Sequence, residues 1–195
     1  MAVLAILSPF LPASAQQKNP HVILHTQLGD IEIELDPVHA PATTANFLRY
    51  VNGGFYSGGF FHRTVTMQNQ PTDSVKIEVI QGGINPSRRS DGFPPIALER
   101  TNTTGLHHID GAISMARSSP NSASSDFFIC IGAQPELDFG GKRNADGQGF
   151  AAFGHVVRGM DIARKIHASP QQGQSLTPPV PILGAEVVKQ ASTKK

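Results

Sequence analysis

Apolar and acidic residues alternate in the segment that spans residues 21–35. After a turn at Leu28–Gly29, Ile31, Ile33 and Leu35 are interleaved with Asp30, Glu32 and Glu34. A period of two places successive side chains on opposite faces of a strand. The pattern therefore predicts a β-hairpin over residues 21–35, with one buried face and one face toward water.

Two other segments, residues 41–53 and 159–167, show the spacing of amphipathic helices. Pro41 suits the first turn of the first helix, and Pro170 prevents continuation of the second. The apolar stripes are Phe47, Leu48 and Val51 in the first helix, and Met160, Ile162, Ala163 and Ile166 in the second.

Short apolar runs between glycine- and proline-rich turns fill the remainder. Strands are predicted over residues 60–65, 76–81, 96–98, 112–116, 127–131, 151–157 and 182–188, and a polar, proline-rich loop over residues 171–181. Many short strands with few helices predict a mainly β fold, either a closed barrel or a sandwich. Periodicity alone does not choose between these two architectures.

Composition fits one globular domain of modest charge. The chain has 195 residues and a formal net charge of +1, which favours neither nucleic acid nor an anionic membrane as a partner. The one cysteine, Cys130, lies in an apolar run, so we expect a buried and unreactive thiol and no internal disulfide. A monomer is expected.

Residues 1–15 are uncharged, mostly apolar and end in Ala13-Ser14-Ala15, a pattern typical of signal-peptide cleavage sites. We therefore predict a signal peptide, a mature domain over residues 16–195, and a periplasmic or secreted protein without a membrane anchor. The segment lacks a basic start, so a cytoplasmic protein with an apolar tail is the alternative.

Five motifs follow one another along the chain. They are Phe61-His62-Arg63, Gln81-Gly82-Gly83, the run from Gly111 to Arg117, Phe127-Phe128, and the run from Phe153 to Asp161. In this order they resemble the cyclophilin family of peptidyl-prolyl cis-trans isomerases, over about residues 21–189. The resemblance implies a closed barrel of eight antiparallel β-strands capped by two α-helices, and rotation of Xaa-Pro bonds in polypeptides as the reaction.

The resemblance also implies roles for three catalytic residues. Arg63 is the donor to the twisting amide nitrogen, Gln81 orients Arg63 and contacts the substrate backbone, and Phe128 forms the floor of the proline pocket. The adjacent Phe127 is expected on the opposite face of its strand. Six further residues are implied to bind substrate: Phe61, Val79, Ala116, Arg117, Leu137 and Phe150.

Several pocket positions depart from the family. Glu78 replaces a usual phenylalanine, Glu136 a frequent tryptophan, Arg117 a frequent asparagine, and Phe150 a common histidine. Glu78 leaves two interpretations open. Its carboxylate either intrudes on the pocket, or it faces away because it is three residues from Gln81 in a regular strand.

The stretch between Arg63 and Gln81 is longer than the family's usual spacing. The extra residues, around 66–75, either contact substrate or a partner or are a tolerated insertion. A non-catalytic binder of proline-containing segments, which Glu78 and Glu136 favour, is the alternative function. The sequence predicts no cofactor, and His107, His108 and Asp110 are interpreted as a polar turn before a strand and not as a metal site.

Overall fold

The computed structural model describes residues 19–189 as a β-barrel with three α-helices. The predicted signal peptide, residues 1–15, lies outside the described residues. The strands are β1 (His21–Thr26), β2 (Gly29–Leu35), β3 (Gly59–Val65), β4 (Val79–Gly83), β5 (Ala112–Met115), β6 (Phe127–Cys130), β7 (Ala151–Arg158), β8 (Gln171–Gln172) and β9 (Ser175–Val187).

The helices are α1 (Pro41–Asn52), α2 (Thr101–Thr104) and α3 (Met160–His167), with 3₁₀ turns at Pro86–Asp91 and Pro135–Leu137. The two longer helices match the predicted ones to within one residue at each end. No helix within residues 19–189 combines the length and apolar character that crossing a membrane requires.

Eight antiparallel strands close the barrel in the order β1-β2-β7-β5-β6-β4-β3-β9, and β9 returns to β1. The short β8 pairs only with the start of β9 among the described strands. The closed barrel predicted from the family resemblance is therefore confirmed, and the sandwich is excluded.

The predicted hairpin forms because its alternating apolar residues become buried. Leu24 lies opposite Ile31 in the β1–β2 ladder, and Val22, Leu24, Ile31, Ile33 and Leu35 are fully buried. The hydroxyl of Thr26 closes the turn, since it donates to the carbonyl of Gly29 and accepts from the amide of Leu28. Gly29 has a φ of 131°, a conformation that side chains disfavour.

The barrel interior is filled by aromatic rings. Phe127 on β6 lies at its centre, with the rings of Phe47, Tyr56 and Phe61 5.5–5.7 Å away in edge-to-face contact. The next residue, Phe128, packs in a separate apolar cluster on the other face of the sheet, as predicted from strand alternation. The outer face of β6 is therefore available for a site.

Two predicted elements are shorter than expected. Residues 76–78 do not belong to β4, which begins at Val79. Residues 96–98 contribute only a single bridge, from Ile96 to Ala123. Neither segment forms a continuous ladder with a neighbouring strand among the described residues, although the amide of Ile131 donates to the carbonyl of Glu78 over 2.9 Å.

The predicted loop over residues 171–181 is wrong, because β8 and the first half of β9 lie there. Arg63 pairs with Ser175, and Phe61 with Val180, so residues 176–179 are skipped in the β3–β9 ladder. Pro178 and Pro179 fall in this skipped stretch, where no amide donor to β3 is needed. The prolines that indicated a loop are thus accommodated within a strand.

Candidate active site

Arg63, Gln81 and Phe128 lie side by side on three neighbouring strands. Arg63 of β3 pairs with Gln81 of β4, and Gln81 pairs with Phe128 of β6. Directly opposite residues in an antiparallel sheet project from the same face. The three side chains therefore converge in one groove, of about 810 Å³, on the outside of the barrel.

The guanidinium of Arg63 is held by two amide oxygens. Nη1 donates to Oε1 of Gln81 over 3.0 Å. Nε and Nη2 both donate to Oε1 of Gln174, over 2.9 and 2.6 Å. These acceptors are neutral, so they fix the orientation of the group without offsetting its charge.

The surroundings of Arg63 disfavour the charged form of its guanidinium. Burial lowers the pKa of the guanidinium from its usual range, and the neighbouring charge of Arg143 lowers it further, while Asp73 acts in the opposite direction. An arginine remains protonated at neutral pH even after such a shift. The result is a partly desolvated cation that a hydrogen-bond acceptor in the groove would stabilise.

Phe128 forms an apolar floor beside these polar groups. Its side chain is almost fully buried, and the ring of Phe150 stands perpendicular to it at 5.3 Å. Val79 and Leu137 pack in the same cluster, with Ala116 at its margin. All of these predicted substrate-binding residues line the groove.

Beneath Phe128 lies a polar network that was predicted only as a turn. His108 is fully buried and stacks on Phe128, with ring centroids 5.8 Å apart. Its Nδ1 lies 2.6 Å from Asp138, and its Nε2 lies 3.0 Å from the hydroxyl of Ser114. His108 thus lies between a carboxylate and a serine hydroxyl, as the histidine of a Ser-His-Asp hydrolase triad does. Ser114 is fully buried, however, so no substrate carbonyl can reach it.

Asp138 anchors this network with a charge. Burial raises the pKa of its carboxyl, but hydrogen bonds with His108 and His107 outweigh burial, so that the pKa lies below its usual value. His107 contacts the second carboxylate oxygen at 2.9 Å. The network therefore supports the underside of Phe128, which forms the apolar floor of the groove.

Arg117 lines the groove, but three of its five N–H donors are used within the protein. It forms a two-fold ion pair with Asp146, at 2.8 and 2.9 Å, and its Nε donates to the carbonyl of Gly149. Its guanidinium carbon lies 4.9 Å from the centre of the Phe150 ring. Arg117 thus holds the wall that carries Phe150.

Phe61 requires a correction, because it lies inside the barrel and is fully buried against Phe127. In a regular strand, Phe61 and Arg63 would share a face. The β3 ladder is irregular between these two residues and skips His62, so that Arg63 turns outward while Phe61 turns inward. The expected contact of Phe61 with substrate has no support in this geometry.

Glu78 faces away from the groove. It is one-third exposed and its carboxylate lies 3.9 Å from Nε2 of His167. Its neighbours Ile77 and Val79 are buried and line the groove. The long segment between β3 and β4 therefore places an apolar residue, Ile77, in the wall of the groove beside Val79.

Glu136 also points elsewhere, since its carboxylate accepts a hydrogen bond from the amide of Lys142 over 2.8 Å. Sequence reasoning missed four functional candidates. Ile77 and Arg143 line the groove, Gln174 holds Arg63, and His108 lies beneath Phe128. Of these, His108 carried a signal as part of a polar pair before a strand, and Ile77 carried one because it shares strand parity with Val79 and Gln81.

The fold and the groove define a known class of enzyme. Residues 21–187 match the sequence model of the family described as cyclophilin type peptidyl-prolyl cis-trans isomerase/CLD. The chain therefore belongs to the cyclophilin-type peptidyl-prolyl cis-trans isomerases, which catalyse rotation about the peptide bond that precedes proline.

Bacterial relatives are similar along most of the chain. Peptidyl-prolyl cis-trans isomerase A of Dickeya dadantii is 38% identical over 200 residues, covering 96% of each protein. Peptidyl-prolyl cis-trans isomerase B of Escherichia coli is 35% identical over 147 residues, covering 74% of this chain and 82% of the relative. The predicted family and isomerase activity are confirmed.

A solved structure shows the same fold at low sequence identity. A cyclophilin type peptidyl-prolyl cis-trans isomerase of Cryptosporidium parvum has a TM-score of 0.70 and 21% identity, and covers 89% of this chain and 99% of its own.

Proposed function

We propose that the groove binds Xaa-Pro segments of polypeptides and that Arg63 accelerates their isomerisation by donating to the proline nitrogen. The observation that carries this proposal is the position of Arg63. It is partly buried, held by neutral amides, and next to an apolar pocket in the same groove.

The chemistry of the bond explains why such a donor is sufficient. Amide resonance creates a barrier of about 18–20 kcal/mol to rotation. When the bond twists, the nitrogen loses conjugation and regains a lone pair that accepts a hydrogen bond. A donor aimed at that nitrogen binds the twisted state more strongly than the planar states, and this difference lowers the barrier.

The apolar part of the groove suits the proline ring. Phe128 provides a flat floor, Phe150 an upright wall, and Ile77, Val79 and Leu137 the remaining apolar surface. A rigid apolar ring is favoured by such a pocket. The Cryptosporidium relative has also been studied in the presence of the dipeptide Ala-Pro, which supports the same ligand class for this chain.

A purely binding role is favoured less, because its motivating features lie outside the pocket. Glu78 faces His167, and Glu136 bonds the amide of Lys142. Neither carboxylate opposes Arg63, whose acceptors are the amides of Gln81 and Gln174.

A protease-coupled assay on an Xaa-Pro peptide tests the role of Arg63. Arg63→Ala is expected to lose roughly a hundredfold in kcat/KM, because removal of one preorganised donor costs roughly 3 kcal/mol. Arg158→Ala, on an exposed arginine of β7, is the matched control and should keep full activity. Unchanged turnover in folded Arg63→Ala protein would remove Arg63 from the mechanism.

We also propose that the protein is exported and acts as a monomer. The apolar segment over residues 1–15 and its Ala13-Ser14-Ala15 ending support cleavage before Gln16. Mass spectrometry of the protein from its host should find a chain that begins near Gln16, outside the cytoplasm. Sedimentation should give the mass of one chain.

A further inference from the structure

Gln174 lies in the turn between β8 and β9, directly before the strand residue that pairs with Arg63. Its side-chain oxygen accepts two hydrogen bonds from the guanidinium, over 2.9 and 2.6 Å. Gln81 accepts one, over 3.0 Å. The orientation of Arg63 therefore depends on Gln174 at least as much as on its cross-strand neighbour.

The turn that carries Gln174 is fixed to the barrel. The amide of Thr64 donates to the backbone carbonyl of Gln174 over 2.9 Å. From the other side, Nδ2 of Asn69 donates to Oε1 of Gln171 over 2.7 Å and to the carbonyls of Thr64 and Gly173 over 2.9 and 3.2 Å. Asn69 thus bridges β3 and the turn.

Asn69 belongs to the long segment between β3 and β4, residues 66–78, which is held together by hydrogen bonds of its own. Gln70 is buried, and its Nε2 donates to the carbonyls of Thr66 and Ile77 over 2.7 Å each. Its Oε1 accepts from the amide of Ile77. These hydrogen bonds hold the segment in one conformation, which places Ile77 in the groove and Asn69 against the turn.

We propose that Gln174 is a positioning residue for Arg63, and that Asn69 in the 66–78 segment holds the turn that presents it. This inference rests on the role proposed above for Arg63. An arginine side chain has many rotamers, and a donor must be fixed before the reaction to stabilise the transition state. A neutral acceptor on the Nε side fixes the plane of the guanidinium and leaves its remaining N–H groups for the substrate.

Removal of the Gln174 amide should therefore impair catalysis more than binding. Gln174→Ala is expected to lower kcat/KM in the protease-coupled assay about tenfold, while the Kd for an Ala-Pro peptide changes less than twofold. Asn69→Ala should lower kcat/KM about threefold. Gln172→Ala, which alters an exposed glutamine of the same hairpin, is the matched control and should retain full activity.

A double-mutant cycle separates positioning from general destabilisation. In an Arg63→Lys background, the Gln174→Ala change should alter the residual activity less than twofold, because the group that Gln174 positions is already gone. An equal loss in both backgrounds would overturn the proposal. Full activity of Gln174→Ala, with Arg63→Ala inactive, would also overturn it.

Solvent exchange of the Arg63 Nε–H proton, followed by NMR, provides a readout that does not depend on turnover. Exchange should accelerate in Gln174→Ala and stay unchanged in Gln172→Ala. If the wild-type protein lacked isomerase activity, the proposed function would fail, whereas the NMR comparison would still decide whether Gln174 holds the guanidinium. Equal exchange in wild type and Gln174→Ala would exclude that contact.

Discussion

The ring of Phe128 stacks on the buried imidazole of His108 on one side and meets the edge of Phe150 on another. The apolar floor of the groove is thus fixed by aromatic contacts and by the polar network beneath it. If this floor receives the proline ring as proposed, stability and ligand binding are linked at Phe128.

Phe128→Ala should weaken both properties. Loss of a buried phenylalanine ring typically costs about 3–5 kcal/mol of unfolding free energy. Binding of a proline-containing peptide should weaken as well, because the floor of its pocket is removed. Denaturant unfolding and calorimetric titration measure the two effects separately. Unchanged peptide affinity in the folded variant would assign Phe128 to the core alone.

Glu78→Phe should leave isomerase activity within about twofold of wild type, because this side chain faces His167 and not the groove. Solubility should fall, since a large apolar ring replaces a partly exposed carboxylate. Val79→Glu is the matched comparison and should reduce activity strongly, because Val79 lines the pocket. A marked gain of activity in Glu78→Phe would show that the carboxylate reaches the site.

Asp138 should contribute a pH-dependent part of the stability. Its pKa is lower in the folded state than in the unfolded chain, so folding favours the ionised carboxylate. This contribution is present above the unfolded pKa of about 3.9 and disappears as the pH falls through the folded value. The unfolding free energy of wild type should therefore fall more steeply in acid than that of Asp138→Asn.

The comparison isolates one carboxylate, because Asp36 and Asp146, whose pKa values are also lowered, are present in both proteins. Asp161→Asn, at a largely exposed position, serves as control and should follow the wild-type profile. Parallel profiles for wild type and Asp138→Asn would contradict the role of the His108–Asp138 network in stability.

Cys130 should resist thiol reagents in the native state. Its side chain is fully buried, and burial together with the charges of Asp138 and Asp110 raises the pKa of the thiol far above its usual value. Both effects suppress the reactive thiolate. Labelling should proceed only as fast as the protein unfolds and should become complete in denaturant; rapid labelling without denaturant would contradict the buried position.

Local patterns allowed the hairpin and the longer helices to be predicted, because their apolar periods are visible within a few residues. Contacts between distant segments were not predictable in this way. Gln174 is far along the chain from Arg63, and the two meet because β9 pairs with β3 and the turn before β9 is held on β3 by Thr64 and Asn69. The inward turn of Phe61 depends on a skipped residue, which leaves no mark in the apolar pattern.

The resemblance to cyclophilins located Arg63, Gln81 and Phe128, and their direct pairing across three strands explains why such distant motifs form one groove. It did not indicate the orientation of the departing residues. Glu78 turns away because its neighbours Ile77 and Val79 occupy the apolar positions. Glu136 turns away because its neighbour Leu137 occupies the apolar position there.

The pairing of β1 with β9 means that the barrel closes only late in the synthesis of the chain. The first strand lacks one of its two neighbours until the last strand, which ends at Val187, has been synthesised. An incomplete chain would therefore expose an unpaired strand edge to which other extended chains can add. Once closure occurs, the edges of β1 and β9 are paired with each other, and among the described strands only the two-residue β8 keeps a free edge.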